Sequence, residues 1–142
     1  MKQIITLLFF VLFFTLNVNS QMKINDFTDA EIYFRGIFDD SCKMDDYGNV
    51  LLDMGSASAG RYSFRITDVK ISKEEKAEEP GCADVCPPRI LIHFTCKKSE
   101  CIIDPSFKSE LYLGGTISFE DLKKGNKAFE FLIALQDFIK NN

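Results

Sequence analysis

Apolar and polar positions alternate most regularly over residues 61–71 and 89–96. Tyr62, Phe64 and Ile66 face one way, with Arg61, Ser63, Arg65 and Thr67 between them. The parity then slips, and Val69 and Ile71 take over the apolar role. Side chains on a strand keep period two, so a one-residue slip predicts a bulge or bend near Asp68. Over residues 89–96, Ile90, Ile92, Phe94 and Cys96 share one face while Leu91, His93 and Thr95 share the other. The polar stretch Lys97 to Glu100 follows, and Cys101, Ile102 and Ile103 resume the apolar pattern, which predicts a β-hairpin.

Further strands are expected over residues 31–38, where Ile32, Phe34 and Phe38 share parity, and over 111–119, as one strand or as a hairpin through Gly114 and Gly115. Residues 50–54 form a short apolar run after an acidic turn over 39–49. Residues 55–60 read as a loop and residues 72–88 as one long connection. From residue 127 the period changes. Ala128, Phe131, Leu135 and Phe138 form one row, and Phe129, Leu132 and Ile139 the next, with Glu130, Asp137 and Asn141 opposite. This is a helix whose wide apolar stripe needs a sheet or partner beneath it. Ser118 with Asp121 suggests its N-terminal cap. The reading is α+β: a curved antiparallel sheet or partly open barrel of about six to seven strands, closed by a C-terminal amphipathic helix.

Residues 1–20 carry a different signal. Lys2 precedes an apolar stretch from Ile4 to Leu16, and Val18 and Ser20 stand at positions −3 and −1 before Gln21. These are the parts of a secretory signal peptide. The stretch spans about 13 residues, against the roughly 20 needed to cross a bilayer. The expectation is therefore an extracytoplasmic protein, periplasmic or secreted, with one domain over residues 21–142 and no membrane span after cleavage.

The full chain has 142 residues, 46% hydrophobic and 27% charged, with fourteen Phe. Removing residues 1–20 takes away one charged residue, Lys2, so the formal charge moves from −4 to −5. A mildly acidic chain without clustered cations argues against nucleic acid as a partner.

All five cysteines lie beyond residue 20, at positions 42, 82, 86, 96 and 101. Outside the cytosol, cysteines tend to pair. Cys96 and Cys101 flank the expected hairpin loop, where a cross-strand bridge would also set Phe94 against Ile103. Cys82 and Cys86 close one helical turn or pair elsewhere, which leaves Cys42 as the candidate free thiol. Zinc ligation by these cysteines with His93 conflicts with strand geometry, because His93 and Cys96 point to opposite faces. Haem attachment needs CxxCH, and Pro87 follows Cys86.

Asp39, Asp40, Asp45 and Asp46 gather in the acidic turn as a possible ligand loop. A calcium loop with Gly48 at its sixth position would put Lys43 and Tyr47 where carboxylate oxygens belong. The chain has no GxSxG elbow, and His93 is its sole histidine. No catalytic residue and no cofactor is assigned.

Residues 90–96 (ILIHFTC), residues 101–103 (CII) and the helix over 129–139 together resemble the tail of small secreted Bacteroidetes proteins of uncharacterised role. The layout of curved strands closed by a C-terminal helix is also similar to pleckstrin-homology-like domains. That resemblance covers about residues 60–140, and it implies binding through loops, with no catalytic residues carried over. The leading expectation is a disulfide-stapled binding module for a protein or small-molecule ligand. One alternative is a thiol-redox or other small enzyme using Cys82 and Cys86, or Cys42, with His93. Another is a calcium-dependent adhesion module.

Overall fold

The computed structural model describes residues 22–54, 61–80, 85–104 and 110–142. Residues 1–20, expected as a signal peptide, residues 55–60, expected as a loop, and Cys82 lie outside these residues. Among the described residues the architecture is α+β, with two α-helices and open antiparallel sheets.

The first element corrects an expectation. Residues 31–38 are not a strand; Phe27–Ile37 form helix α1. Asp26 caps it by accepting from the Asp29 N–H at 2.8 Å. Ala30, Phe34 and Ile37 are buried at helical spacing, while Ile32 is 64% exposed. The apparent alternation misled because Phe34 and Phe38 also stand four residues apart, and their rings meet at 4.8 Å.

The short strands β1 (Lys43–Met44) and β2 (Asn49–Asp53) then form a hairpin. Its turn needs Gly48, whose φ is +77°. A Cβ there would also press on Ile139 at 3.0 Å.

Three passes of chain build most of what remains. The first is β3 (Arg61–Arg65), a 3-10 turn (Ile66–Asp68) and β4 (Val69–Lys76). The slip expected near Asp68 is this turn. The connection expected over 72–88 is shorter than that, because β4 continues to Lys76. Its alternating charges suit the edge strand of a sheet, where they discourage pairing with other chains. A small ribbon follows, β5 (Glu79–Pro80) with β6 (Val85–Cys86).

The second pass is β7 (Arg89–Cys96) with β8 (Ile102–Ile103), and the third is β9 (Leu111–Tyr112) with β10 (Gly114–Phe119). Each pass is cut in two at the same level. Each pass gives one half to each sheet, and the passes stand in the same order in both. One sheet runs β1-β2-β3-β8-β9 and the other β10-β7-β4. This division is why ten strands stand among the described residues where six to seven were expected.

The expected hairpin at Lys97–Glu100 is therefore wrong in direction. β7 pairs with β4 and β10, and β8 pairs with β3 and β9, all antiparallel. β7 and β8 run the same way, and residues 97–100 loop out of one continuing pass. Phe94 accordingly sits across from Ile71 and Gly115, not Ile103. A polar loop between two apolar runs looks alike in sequence whether the chain reverses or carries on.

Helix α2 (Leu122–Asn141) packs on the three-stranded sheet. Its cap is Asp121, which accepts from the Lys124 N–H at 2.9 Å. Gly125 and Asn126 lie inside the helix. Gly125 lets the helix approach closely, since a Cβ there would stand 2.6 Å from the Ile90 Cβ. Ala128, Phe131, Leu132 and Leu135 are fully buried with Ile90, Ile92 and Ile117 of the sheet. The side chain of Gln136, also buried, donates from Nε2 to the carbonyls of Ile66 (2.6 Å) and Val69 (2.8 Å). It thereby satisfies the backbone of the 3-10 turn where the first pass bends.

Candidate functional site

Of the chemistry-bearing residues, Cys96 and Cys101 lie at the bend between the two sheets. Cys96 and Cys101 form a disulfide with Cα atoms 5.7 Å apart. The register explains why they meet. The β7–β10 ladder has Thr95 across from Gly114, and the β8–β9 ladder has Ile102 across from Tyr112. Each ladder carried one residue further arrives at Leu113. Cys96 N–H donates to Leu113 O at 2.8 Å, and Cys101 N–H donates to Tyr112 O at 3.3 Å. The bond thus joins both ends of an excursion that occupies one position of the neighbouring pass. Lys97 fastens the excursion to the 3-10 turn, donating from its backbone to Asp68 O (2.9 Å) and from Nζ to Thr67 O (2.6 Å).

Cys86 is also disulfide-bonded, with its partner outside the described residues. Cys42 is free and buried. Burial pushes its thiol above the ordinary range, although a hydrogen bond from the Asp53 backbone works the other way. The Asp53 N–H donates to its sulfur at 3.2 Å. A thiol held protonated in this way is a poor nucleophile. It serves as a small packing residue beneath β2.

His93 sits on the face of the three-stranded sheet opposite α2. Its Nδ1 lies 3.0 Å from Thr116 Oγ1 and its Nε2 lies 3.2 Å from Glu74 Oε2. An ionised carboxylate only accepts, so in the neutral ring Nε2 carries the hydrogen and Nδ1 accepts from the Thr116 hydroxyl. Lys76, 2.8 Å from Glu74, holds that carboxyl below its usual range, with His93 adding to the effect. A hydroxyl, an imidazole and a carboxylate in line can in principle move a proton. Here His93 is 33% and Glu74 46% exposed. Water screens such a relay, and among the described residues nothing closes over it to fix a reacting carbonyl. The partner residues lie 19 and 23 positions away along the chain, so no local motif announces them.

The acidic turn does not converge as a cation site. Asp45 Oδ1 accepts from the N–H groups of Tyr47 (3.0 Å) and Asn49 (2.9 Å), and Oδ2 accepts from the Asn49 side chain (2.8 Å). Partial burial opposes its ionisation, but these bonds, with Arg65 nearby, hold its carboxyl below the usual range. Its lone pairs are spent on the turn. Asp39 stands 3.8 Å from Lys124, and Asp40 and Asp46 are exposed. Among the described residues no three His, Cys, Asp or Glu side chains gather as a metal site.

One surface escaped the sequence pattern. Ile103 pairs with Leu111 across β8 and β9, and both are exposed, as is Leu113. In register with them on the same side lie Ser63 and Leu51. The row is a cross-strand feature, and its members come from four separate stretches of sequence. An open groove of about 740 Å³ lies between Met22–Ile24 and α2, lined by Phe129 and Ile133 among others.

No helix among the described residues is long and apolar enough to cross a membrane. Comparison of the chain with protein-family models, curated proteins and solved structures finds no match.

Proposed function

We propose that this chain is an exported binding module, cut before Gln21, with an extended polypeptide as its ligand. The observation that carries the reading is the Cys96–Cys101 bond. Such bonds persist where the surroundings are oxidising, and the apolar segment Ile4 to Leu16 supplies a route there. The contact surface is the β9 end of the five-stranded sheet. β9 ends that sheet's order among the described residues, and Ile103, Leu111 and Leu113 stand exposed beside it. An edge strand offers backbone donors and acceptors to an added strand, and exposed apolar side chains take its alternate residues.

Peptide mapping by mass spectrometry of protein recovered from its own cell envelope or medium tests the export reading. The expected result is a chain that starts at Gln21 with Cys96 and Cys101 linked. Recovery of unprocessed chain from the cell interior, with both thiols titratable, overturns it. A displayed library of extended peptides tests the ligand. The selected sequences are expected to carry alternating apolar residues and to lose binding to Leu111→Lys. Binding that is indifferent to Leu111→Lys places the surface elsewhere and defeats this assignment.

A further inference from the structure

We propose that the Cys96–Cys101 bond is a reducible latch, whose opening releases β8 and β9 while the three-stranded sheet and α2 stay folded. The argument starts from what the bond holds. It removes an excursion of sequence separation 5 from the middle pass, so that Ile102 arrives in register with Tyr112. Without it the middle pass has slack at the one point where it changes sheets.

The two sides of that point are unequally secured. β7 is eight residues long, pairs on both edges with β4 and β10, and lies under α2. β8 is two residues long and meets β3 through Ser63 and Ile103. β9 is equally short. Local opening is expected where few backbone bonds and few apolar contacts must break together. Opening here brings fully buried Ile102 out beside Ile103 and uncovers the edge of β3, and so enlarges the apolar edge described above.

Access favours the reaction. Cys96 and Cys101 are both half-buried rather than enclosed, and Lys97 and Lys98 are exposed beside them. Cations near a disulfide attract an incoming thiolate. The reductant is a small or protein dithiol. One of its thiolates attacks a cysteine Sγ, the Cys96–Cys101 bond breaks, and a mixed disulfide forms. Its second thiolate then displaces the bound cysteine. Two electrons and two protons pass to Cys96 and Cys101, and the dithiol leaves as a disulfide. The latch is a property of the folded chain in any compartment, so it stands or falls apart from the export reading.

Hydrogen exchange followed by mass spectrometry tests the proposal on the purified chain, with and without dithiothreitol. Dithiothreitol also reaches the Cys86 disulfide, so the double variant Cys96→Ser with Cys101→Ser isolates the latch. The expected result is exchange at least about tenfold faster over residues 101–103 and 111–113. β4, β7, β10 and α2 should keep their protection, and reoxidation of the treated wild type should restore the slow exchange. Unchanged exchange at 101–103 in both samples overturns the proposal, because the bond then holds nothing that opens. Loss of protection throughout the double variant also overturns it, because the bond is then a staple of the whole fold.

Discussion

The two sheets share three passes of chain, the five-stranded one adding the hairpin of β1 and β2, yet they are held by different means. The three-stranded sheet has long strands, a continuous apolar side and a helix laid over it. The five-stranded sheet has mostly short strands and a concentration of specific polar and covalent ties. Asp45 braces its first turn, Arg61 donates to the buried Asp53 through Nε and Nη2, and Cys96–Cys101 closes its entry from the middle pass. Burial of a Phe or Ile side chain is worth roughly 1.5–3 kcal/mol, so a sheet under a helix is stabilised without further devices. The five-stranded sheet buries Val50, Leu52, Phe64 and Ile102 in the same core, and directional bonds add to what holds its short strands in place.

That contrast is open to direct attack, beginning with the helix-covered side. Phe131 is fully buried; it packs against Phe34 and Phe38 and ties α1 to α2. Phe131→Ala is expected to lower stability by about 3–5 kcal/mol, the range for large core truncations. Denaturant unfolding checks the loss. Tyr47→Ala is the matching change on the five-stranded side, where the ring is 74% exposed, and should leave the midpoint nearly unmoved. Similar losses from the two variants would erase the distinction between the regions.

Gln136 is the point where the helix reaches across to the bend. Gln136→Leu keeps the bulk and removes the donor shared by the Ile66 and Val69 carbonyls. Leaving buried acceptors unmet costs about 1–3 kcal/mol. Exchange of the amides at 66–69 should quicken more than that of β7. Gly125→Ala should cost somewhat less. The added methyl meets Ile90 at 2.6 Å, an overpacking of about 1–3 kcal/mol, and the better helix propensity of Ala returns up to about 1. A thermal melt of Gly125→Ala that matches or exceeds the wild type would mean that α2 sits farther from the sheet than described.

The same division governs what the amino-acid pattern reveals. The strand over 89–96, the bend near Asp68 and the helix from residue 127 are legible, because each packs one face against a single layer and keeps one period. The failures lie where geometry depends on a distant partner. Phe34 and Phe38 fit strand parity and helix spacing alike, and the Asp26 cap settles the matter. The stretch Lys97 to Glu100 reads as a turn until β3 and β9 are known to take β8. The row from Leu51 through Ser63 and Ile103 to Leu111 exists only across strands. Asp45 attracts notice as one acid among four, but its role is fixed by the N–H groups it faces rather than by its charge.

Asp45 also offers the gentlest probe of the five-stranded side. Its carboxyl titrates lower in the folded chain than in the unfolded one. The folded state therefore gains from its ionisation at pH above the unfolded value, near 3.9. That gain is lost as the pH falls through the lower, folded value. Asp45→Asn removes the charge, so it should reduce stability by no more than about 1 kcal/mol at pH 7, since the site is exposed and water screens it. The difference between variant and wild type should persist down to about pH 4 and then shrink. Urea midpoints taken from pH 7 to pH 2.5 follow this directly. A difference that stays constant to the lowest pH would mean that the turn depends on the shape of the side chain rather than its charge.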